Sequence, residues 1–541
     1  MALADVVPEL GVTPARICPG DLGLSGAPRT LEDMDFPLVA GLPQPAVITS
    51  SDLRAGLRCE YGLLVTADVR LGRRESVPAE PDPIRARFGD LGREREHEVT
   101  EALTQEVGVG VVDAHALSPE AVLAVLGDPG TRLVHQAAVR GARFQGRADH
   151  LLRDDSGTWV VAETKLARSV RQDALVQVAA YAQALEDSGV AVAPFVRLIL
   201  GDGSVVDTPR EEVAGDLSAA RARVLEVLDT HQGEGSPVTW GDARWRACLH
   251  CDVCRAELSE RGDVGLVAGV HSSTRRLLLE AGVSTVAALA ARVDPVEGLD
   301  DVRLAVMRSQ ASLQLVEPTA EQPLAYEVFA PEALAALPSP SDGDVFFDFE
   351  GDPMWRGSGE EDFGLEYLFG SLTAGGEFVP FWAHDREQER AALVGFVDWL
   401  RERLELWPDL HVFHYSGYER SALTRLAIRH GVHEQEVADL LDSGVFVDLY
   451  AAVKSAVRVG SPSYSIKRLE PLYMGDDLRD ADGVTAGGDS IIEYQRYREA
   501  VAAGDEAQAA VRLEDLRQYN EYDCLSTLRL RDWLLAHAHV S

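Results

Sequence analysis

One stretch, Gly146 to Tyr181, constrains this chain more than any other: G-R-A-D-H-L-L-R-D-D-S-G-T-W-V-V-A-E-T-K, then Q-V-A-A-Y. Residues 146–153 carry the apolar Leu151 and Leu152, residues 154–157 supply turn chemistry, and residues 158–162 are β-branched and aromatic, so a β-hairpin is predicted. Its second strand ends on Glu163, Thr164 and Lys165. Side chains alternate along a strand, which puts Glu163 and Lys165 on one face. Asp149, on the partner strand, is then close enough for two carboxylates to share one divalent cation. In the helix that follows, Gln177 and Tyr181 are four residues apart and share a face.

Composition singles out the lysine. Of 51 Lys and Arg residues only three are lysine: Lys165, Lys454 and Lys467. Arginine is a permanently charged planar fork, whereas lysine is a compact point charge with an adjustable pKa. Beside paired carboxylates, a lysine can hold and polarise the water that attacks a phosphodiester. A lysine at 165 therefore marks a chemical requirement.

Together the acidic residue, the E-x-K strand end and the Q-x-x-x-Y helix resemble the PD-(D/E)XK nucleases, in their RecB-like branch. The resemblance implies Mg²⁺ or Mn²⁺ at Asp149 and Glu163, with Lys165, Gln177 and Tyr181 completing the catalytic set. That branch also places a metal-ligating histidine on an upstream helix. The counterpart here is His97, in L-G-R-E-R-E-H-E-V-T-E-A-L, with Glu98 as the other candidate.

Beyond this core lies W-R-A-C-L-H-C-D-V-C, with Cys248, Cys251 and Cys254. Six cysteines in 541 residues are no disulfide framework, and so tight a C-x-x-C-x-x-C points to a metal. Three thiolates need a fourth ligand. Cys59 is the natural choice, at the end of a helix (residues 48–59) that Ser50, Ser51 and Asp52 are expected to cap. RecB-like nucleases with an iron–sulfur cluster are similar in layout, one cysteine before the core and three after, though their last two are spaced more widely. A 4Fe–4S cluster takes four thiolates; zinc accepts the same set, with His250 as an alternative ligand. Cys18 and Cys524 read as plain thiols.

A second constellation begins at Asp344-Val-Phe-Phe-Asp-Phe-Glu-Gly351, an apolar run that predicts a buried strand with Asp348 and Glu350 on one face. Near the C-terminus a helix places Tyr519 and Asp523 one turn apart. This pairing resembles the DEDD exonucleases of the RNase H-like fold, in the tyrosine subgroup. The resemblance implies that Asp348, Glu350, Glu419 and Asp523 hold two Mg²⁺ or Mn²⁺ ions while Tyr519 orients water. Glu419 stands where aspartate is usual, and the extra methylene moves its carboxylate by about 1.5 Å. Asp448 is a rival ligand, expected instead to cap a helix after its strand.

The whole chain reads as α/β: a lead-in over 1–45, a PD-(D/E)XK restriction-endonuclease-like domain over 46–258, a small helical linker domain over 259–335, and an RNase H-like domain over 336–541. Residues 84–128 and 209–233 are predicted helical, 194–200 a strand, and 316–343 a proline-rich linker. Gly282-Val-Ser-Thr-Val-Ala-Ala-Leu289 resembles the turn of helix-hairpin-helix modules. Both nuclease resemblances occur in this order in a family of RecB-like nucleases, which implies a DNA repair or processing enzyme.

Net charge is −37, which disfavours a broad duplex-binding face, and the family resemblance implies single-stranded DNA as the substrate. No run of 18 apolar residues and no signal-peptide pattern occur, so a cytoplasmic protein with no membrane contact is expected. No P-loop is present, so a helicase would be a partner. The alternatives are an RNA exonuclease and a non-catalytic scaffold that recruits a helicase.

Overall fold

A computed structural model describes residues 46–76, 82–357, 362–479 and 487–538. The lead-in and Cys18 lie outside the described residues. The chain divides into two units, one formed by residues up to 79 and 88–239, the other by 80–87 and 240–541.

The first unit is built on a seven-stranded mixed sheet. Its strands are β1 (Ile48–Thr49), β2 (Val111–Asp113), β3 (Leu133–Gly141), β4 (Phe144–Arg153), β5 (Trp159–Thr164), β6 (Phe195–Ile199) and β7 (Val205–Pro209). They run β2-β3-β4-β5-β6-β7, with β1 parallel to the start of β4. The predicted hairpin is β4–β5, antiparallel, with His150 opposite Ala162 and Leu151 opposite Val161. Helix Gln172–Asp187 then crosses over to β6, which lies parallel to β5. Every residue of β5 is buried, as befits a central strand covered on both faces. Helix Pro83–Val107 packs Val99 and Leu103 against Ala162, Ile199 and Leu152.

Two local expectations are corrected. The first helix, Ser50–Arg58, is capped by Thr49, whose hydroxyl accepts from Asp52 N while the Asp52 carboxylate accepts from Thr49 N. That reciprocal capping box starts one residue before the predicted cap. Residues 84–128 are not helical throughout, because strand β2 interrupts them before helix Pro119–Gly127.

The second unit opens with small helices, Ser272–Glu280, Val286–Ala290 and Asp301–Gln314, around Val264, Leu278, Val286, Leu289 and Met307. At the helix-hairpin-helix-like turn, Thr285 caps a five-residue helix whose Val286 and Leu289 are buried. The proline-rich segment contains strand β8 (Tyr326–Val328) and helix Pro331–Leu334.

The main sheet has the order β11-β10-β9-β12-β13, from β9 (Val345–Arg356), β10 (Phe363–Thr373), β11 (Phe378–Trp382), β12 (Val412–His414) and β13 (Phe446–Asp448). The first three form an antiparallel meander, and β12 and β13 add parallel to β9. Strand β14 (Val457–Val459) pairs with β8, so the proline-rich segment is partly sheet rather than wholly linker. Alternation along β9 sorts its side chains cleanly. Val345, Phe347 and Phe349 pack under helix Arg386–Leu406, whereas Phe346 meets Leu530 and Leu534 of helix Glu506–Ala536. Asp348 and Glu350 share the face of Phe346, beneath that last helix.

Two candidate active sites

In the first unit, the β4–β5 register makes Asp149 and Glu163 the opposed pair next to His150 and Ala162. Asp149 Oδ2 accepts from the Thr164 amide at 2.9 Å. Glu163 Oε1 accepts from Lys165 Nζ at 2.8 Å and from Gln177 Nε2 at 2.9 Å, and Gln177 Nε2 also reaches the Tyr181 hydroxyl at 2.9 Å. Asp149, Glu163, Lys165, Gln177 and Tyr181 thus form one continuous group. The other oxygen of Glu163 is buried without a hydrogen-bond partner, an acceptor that suits a cation. Burial pushes Asp149 well above the usual carboxylate range, reinforced by the charges of Glu163 and Glu96. Burial likewise raises Glu163, against the pull of Lys165.

His97 does not join this group. Its side chain is 75% exposed and sits 3.3 Å from Glu101, and Glu98 is exposed too. Glu96, one residue earlier, is the helix residue whose charge acts on both Asp149 and Glu163, and its carboxylate holds the amide of Gln136 on β3. Sequence reasoning missed it, although the helix phase carries the signal. Positions 96, 99, 100 and 103 share a face, and Val99 and Leu103 pack on the sheet while Thr100 bonds His150. Glu96→Gln should lower Mn²⁺ affinity at this site by about 10–100-fold, and His97→Ala should leave it within about twofold. Calorimetric titration of chains lacking the second site checks this, and the reverse ranking would restore His97.

In the second unit, Asp348, Glu350 and Asp523 bring carboxylate oxygens within 4.8 Å of one another. Each is held from a different element. Asn520 Nδ2 donates to Asp348 Oδ2 at 2.9 Å, Ser490 Oγ donates to Glu350 Oε2 at 2.7 Å, and Arg479 pairs with Asp523. Glu419 is buried, 3.3 Å from His414 on β12. It stands outside the close triad, but its charge reaches Asp348. Asp448 accepts the Tyr450 and Ala451 amides as a helix cap, as expected. Tyr519 is buried one turn from Asp523, with its hydroxyl accepting from Lys467 Nζ at 2.7 Å. Lys467, Arg479, Asn520 and Ser490 went unassigned from sequence. For Lys467 the signal was present in the scarcity of lysine.

Three convergent carboxylates repel one another unless cations or protons intervene. Burial, then the charges of Glu350, Asp523 and Glu419, push Asp348 well above its ordinary range, and Lys467 opposes them. Glu350 is raised to about 8, first by burial and then by Asp523. A carboxyl raised in the fold keeps a proton that the unfolded chain has already lost. Its contribution to stability is complete below about 4.5 and disappears as pH rises through about 8. Metal-free protein should therefore lose melting temperature across that window, and Mg²⁺ should recover it at the alkaline end. Equal pH profiles for wild type and Glu350→Gln would contradict this.

The sulfurs of Cys248, Cys251 and Cys254 lie within 4.8 Å of one another. The backbone amides of His250 and Cys251 donate to Cys248 Sγ at 3.4 and 3.3 Å. The His250 side chain is exposed. Cys59 is buried in the other unit, where its sulfur accepts from the Gly62 amide at 3.3 Å. Cys524 is buried and donates to Gly370 O at 3.5 Å.

A meander of three strands extended by two parallel ones, acidic side chains on its first strand and a third on the covering helix define an RNase H-like domain. Residues 345–535 match the model of the RNase_H superfamily, which supports a nuclease-type domain in this part of the chain. No curated protein matches the chain. No described helix is long and apolar enough to cross a membrane.

Proposed function

We propose that the chain is a divalent-metal-dependent nuclease with two active sites, acting on single-stranded DNA in repair or processing. The observation that carries this is the triad that Asp348 and Glu350 of β9 form with Asp523 of helix Glu506–Ala536 in an RNase H-like domain. The donor set suits Mg²⁺ or Mn²⁺, which prefer oxygen ligands, and Glu419 is the fourth carboxylate. Bound cations would neutralise these carboxylates, activate water and stabilise the leaving oxygen. Asn520 and Ser490 aim Asp348 and Glu350, and Tyr519 offers its hydroxyl beside them.

In the first unit we read a PD-(D/E)XK nuclease site of the RecB-like kind. Asp149 and Glu163 would hold the metal, with Glu96 in the place expected for His97. Lys165 would polarise the attacking water, and Gln177 and Tyr181 fix Glu163. For the cysteines, the sequence layout favours a 4Fe–4S cluster over zinc, with Cys59 as the fourth thiolate. Brown protein from anaerobic purification supports the cluster, and colourless protein that releases zinc overturns it.

The deciding assay is degradation of labelled single-stranded DNA and RNA with Mg²⁺ or Mn²⁺ by wild type, Lys165→Ala, Asp348→Ala and the double variant. Each single variant should lose part of the activity and the double variant all of it. Full activity in the double variant ends the two-site reading. RNA degraded in preference to DNA makes the chain an RNA exonuclease, and an inactive wild type that binds strands makes it a scaffold, of the sort that would recruit a helicase.

A further inference from the structure

We propose that Lys467 is a positioning residue for Tyr519, fixing the direction in which the phenol presents its proton; this rests on the nuclease reading of the RNase H-like site. Lys467 belongs to the short helix Ile466–Leu469 and reaches Tyr519 from outside the DEDD-like pattern. Its ammonium donates to the Tyr519 oxygen at 2.7 Å and lies 4.9 Å from the ring centroid. An ammonium has no lone pair, so the phenol can only accept on that side. Its own hydrogen must then point elsewhere.

Tyr519 is buried beside carboxylates, and burial with the charges of Asp523, Glu350 and Asp348 keeps it protonated. With Lys467 occupying one side of the oxygen, the hydroxyl is left to donate toward the carboxylate cluster, where the attacked phosphate and its water would stand. A rotor otherwise free to turn is set before substrate arrives, as preorganised catalysis requires.

Residue choice agrees with this role. Three of the 51 basic residues are lysine, and two of these touch the candidate sites, Lys165 on Glu163 and Lys467 on Tyr519. The neighbouring arginine, Arg479, bonds Glu470 and Asp523 and covers the rings of Tyr519 and Tyr522. It takes the planar, two-carboxylate task to which a guanidinium is suited, leaving the single-point contact to a lysine.

The test is a double-mutant cycle on single-stranded DNA with Mn²⁺, in a Lys165→Ala chain so that only this site reports. Lys467→Met should lower kcat by about 10–100-fold with KM and Mn²⁺ affinity within about twofold, and Lys467→Arg should recover part of the loss. In a Tyr519→Phe background, Lys467→Met should cost less than about twofold, because the residue it acts through is gone. If its full loss persists there, Lys467 acts on the carboxylates directly and the positioning role is wrong. A raised KM with kcat kept would make it a phosphate grip, which also overturns the proposal. Should Lys467→Met not fold, Lys467→Gln runs the same cycle. Asp348→Asn is the separate control: if it keeps full activity, the nuclease reading of this site fails, whatever Lys467 does.

Discussion

Asp348→Asn should abolish strand degradation by the RNase H-like domain while making the metal-free chain harder to melt. Asp348 is pressed by the charges of Glu350, Asp523 and Glu419 in a site that hydrates it poorly. Replacing one oxygen by an amide removes a repelling charge without changing volume. The bond from Asn520 Nδ2 survives, because the new amide still offers an oxygen. Stability should rise by about 1 kcal/mol at pH 8 in EDTA, worth about 2–4 °C for a unit of this size. Activity should fall by at least about 10²–10³-fold, since a neutral amide is a poor ligand for Mg²⁺ and no longer balances its charge. Scanning calorimetry with and without Mg²⁺, beside the strand assay in a Lys165→Ala chain, reads both. A variant that is less stable without metal would mean that the carboxylates do not repel, and the site would need another explanation.

Gly370→Ala should unfold or inactivate the same domain from a position that carries no chemistry. Gly370 lies opposite Asp348 on β10, and the side chain of Asn520 fills the space above it. An added Cβ would land on Asn520 Oδ1, 2.7 Å from its Cγ and 3.2 Å from Phe378. Asn520 is fully buried and cannot swing aside. Helix Glu506–Ala536 must therefore lift, at a cost of about 1–3 kcal/mol for an overpacked core. Tyr519 and Asp523 lift with it, and a shift of about 1 Å is enough to lower activity about 10²-fold. Gly375→Ala is the control, with nothing nearer than 3.8 Å. Equal melting temperatures for the two variants would show that the helix does not rest on Gly370.

What the residues announced in advance was what local periodicity can encode. The D-x-E strand and the Y-x-x-x-D helix each lie within one element, where alternation or a helical turn decides which side chains face together. The E-x-K strand end and Q-x-x-x-Y helix were legible for the same reason. Asn520, Ser490, Lys467 and Arg479 were not, because their partners are 172, 140, 52 and 44 residues away. No local pattern carries such a distance. That Glu96 rather than His97 faces the carboxylates is a difference of one residue in phase, in a helix rich in charge where only Leu91 and Val99 are buried. The hidden strand β2 was lost because three residues, V-V-D, are too few to show a period.

Tyr519, Asn520 and Asp523 are stations on one 31-residue helix, so the length of chain between them is as fixed as their identity. One residue inserted between Tyr519 and Asp523 would turn them apart by about 100° and advance one by about 1.5 Å, emptying the site without altering any of its side chains. The turn at 374–377 between β10 and β11, by contrast, can lengthen freely. Insertions and deletions, more than substitutions, should map where this domain is rigid.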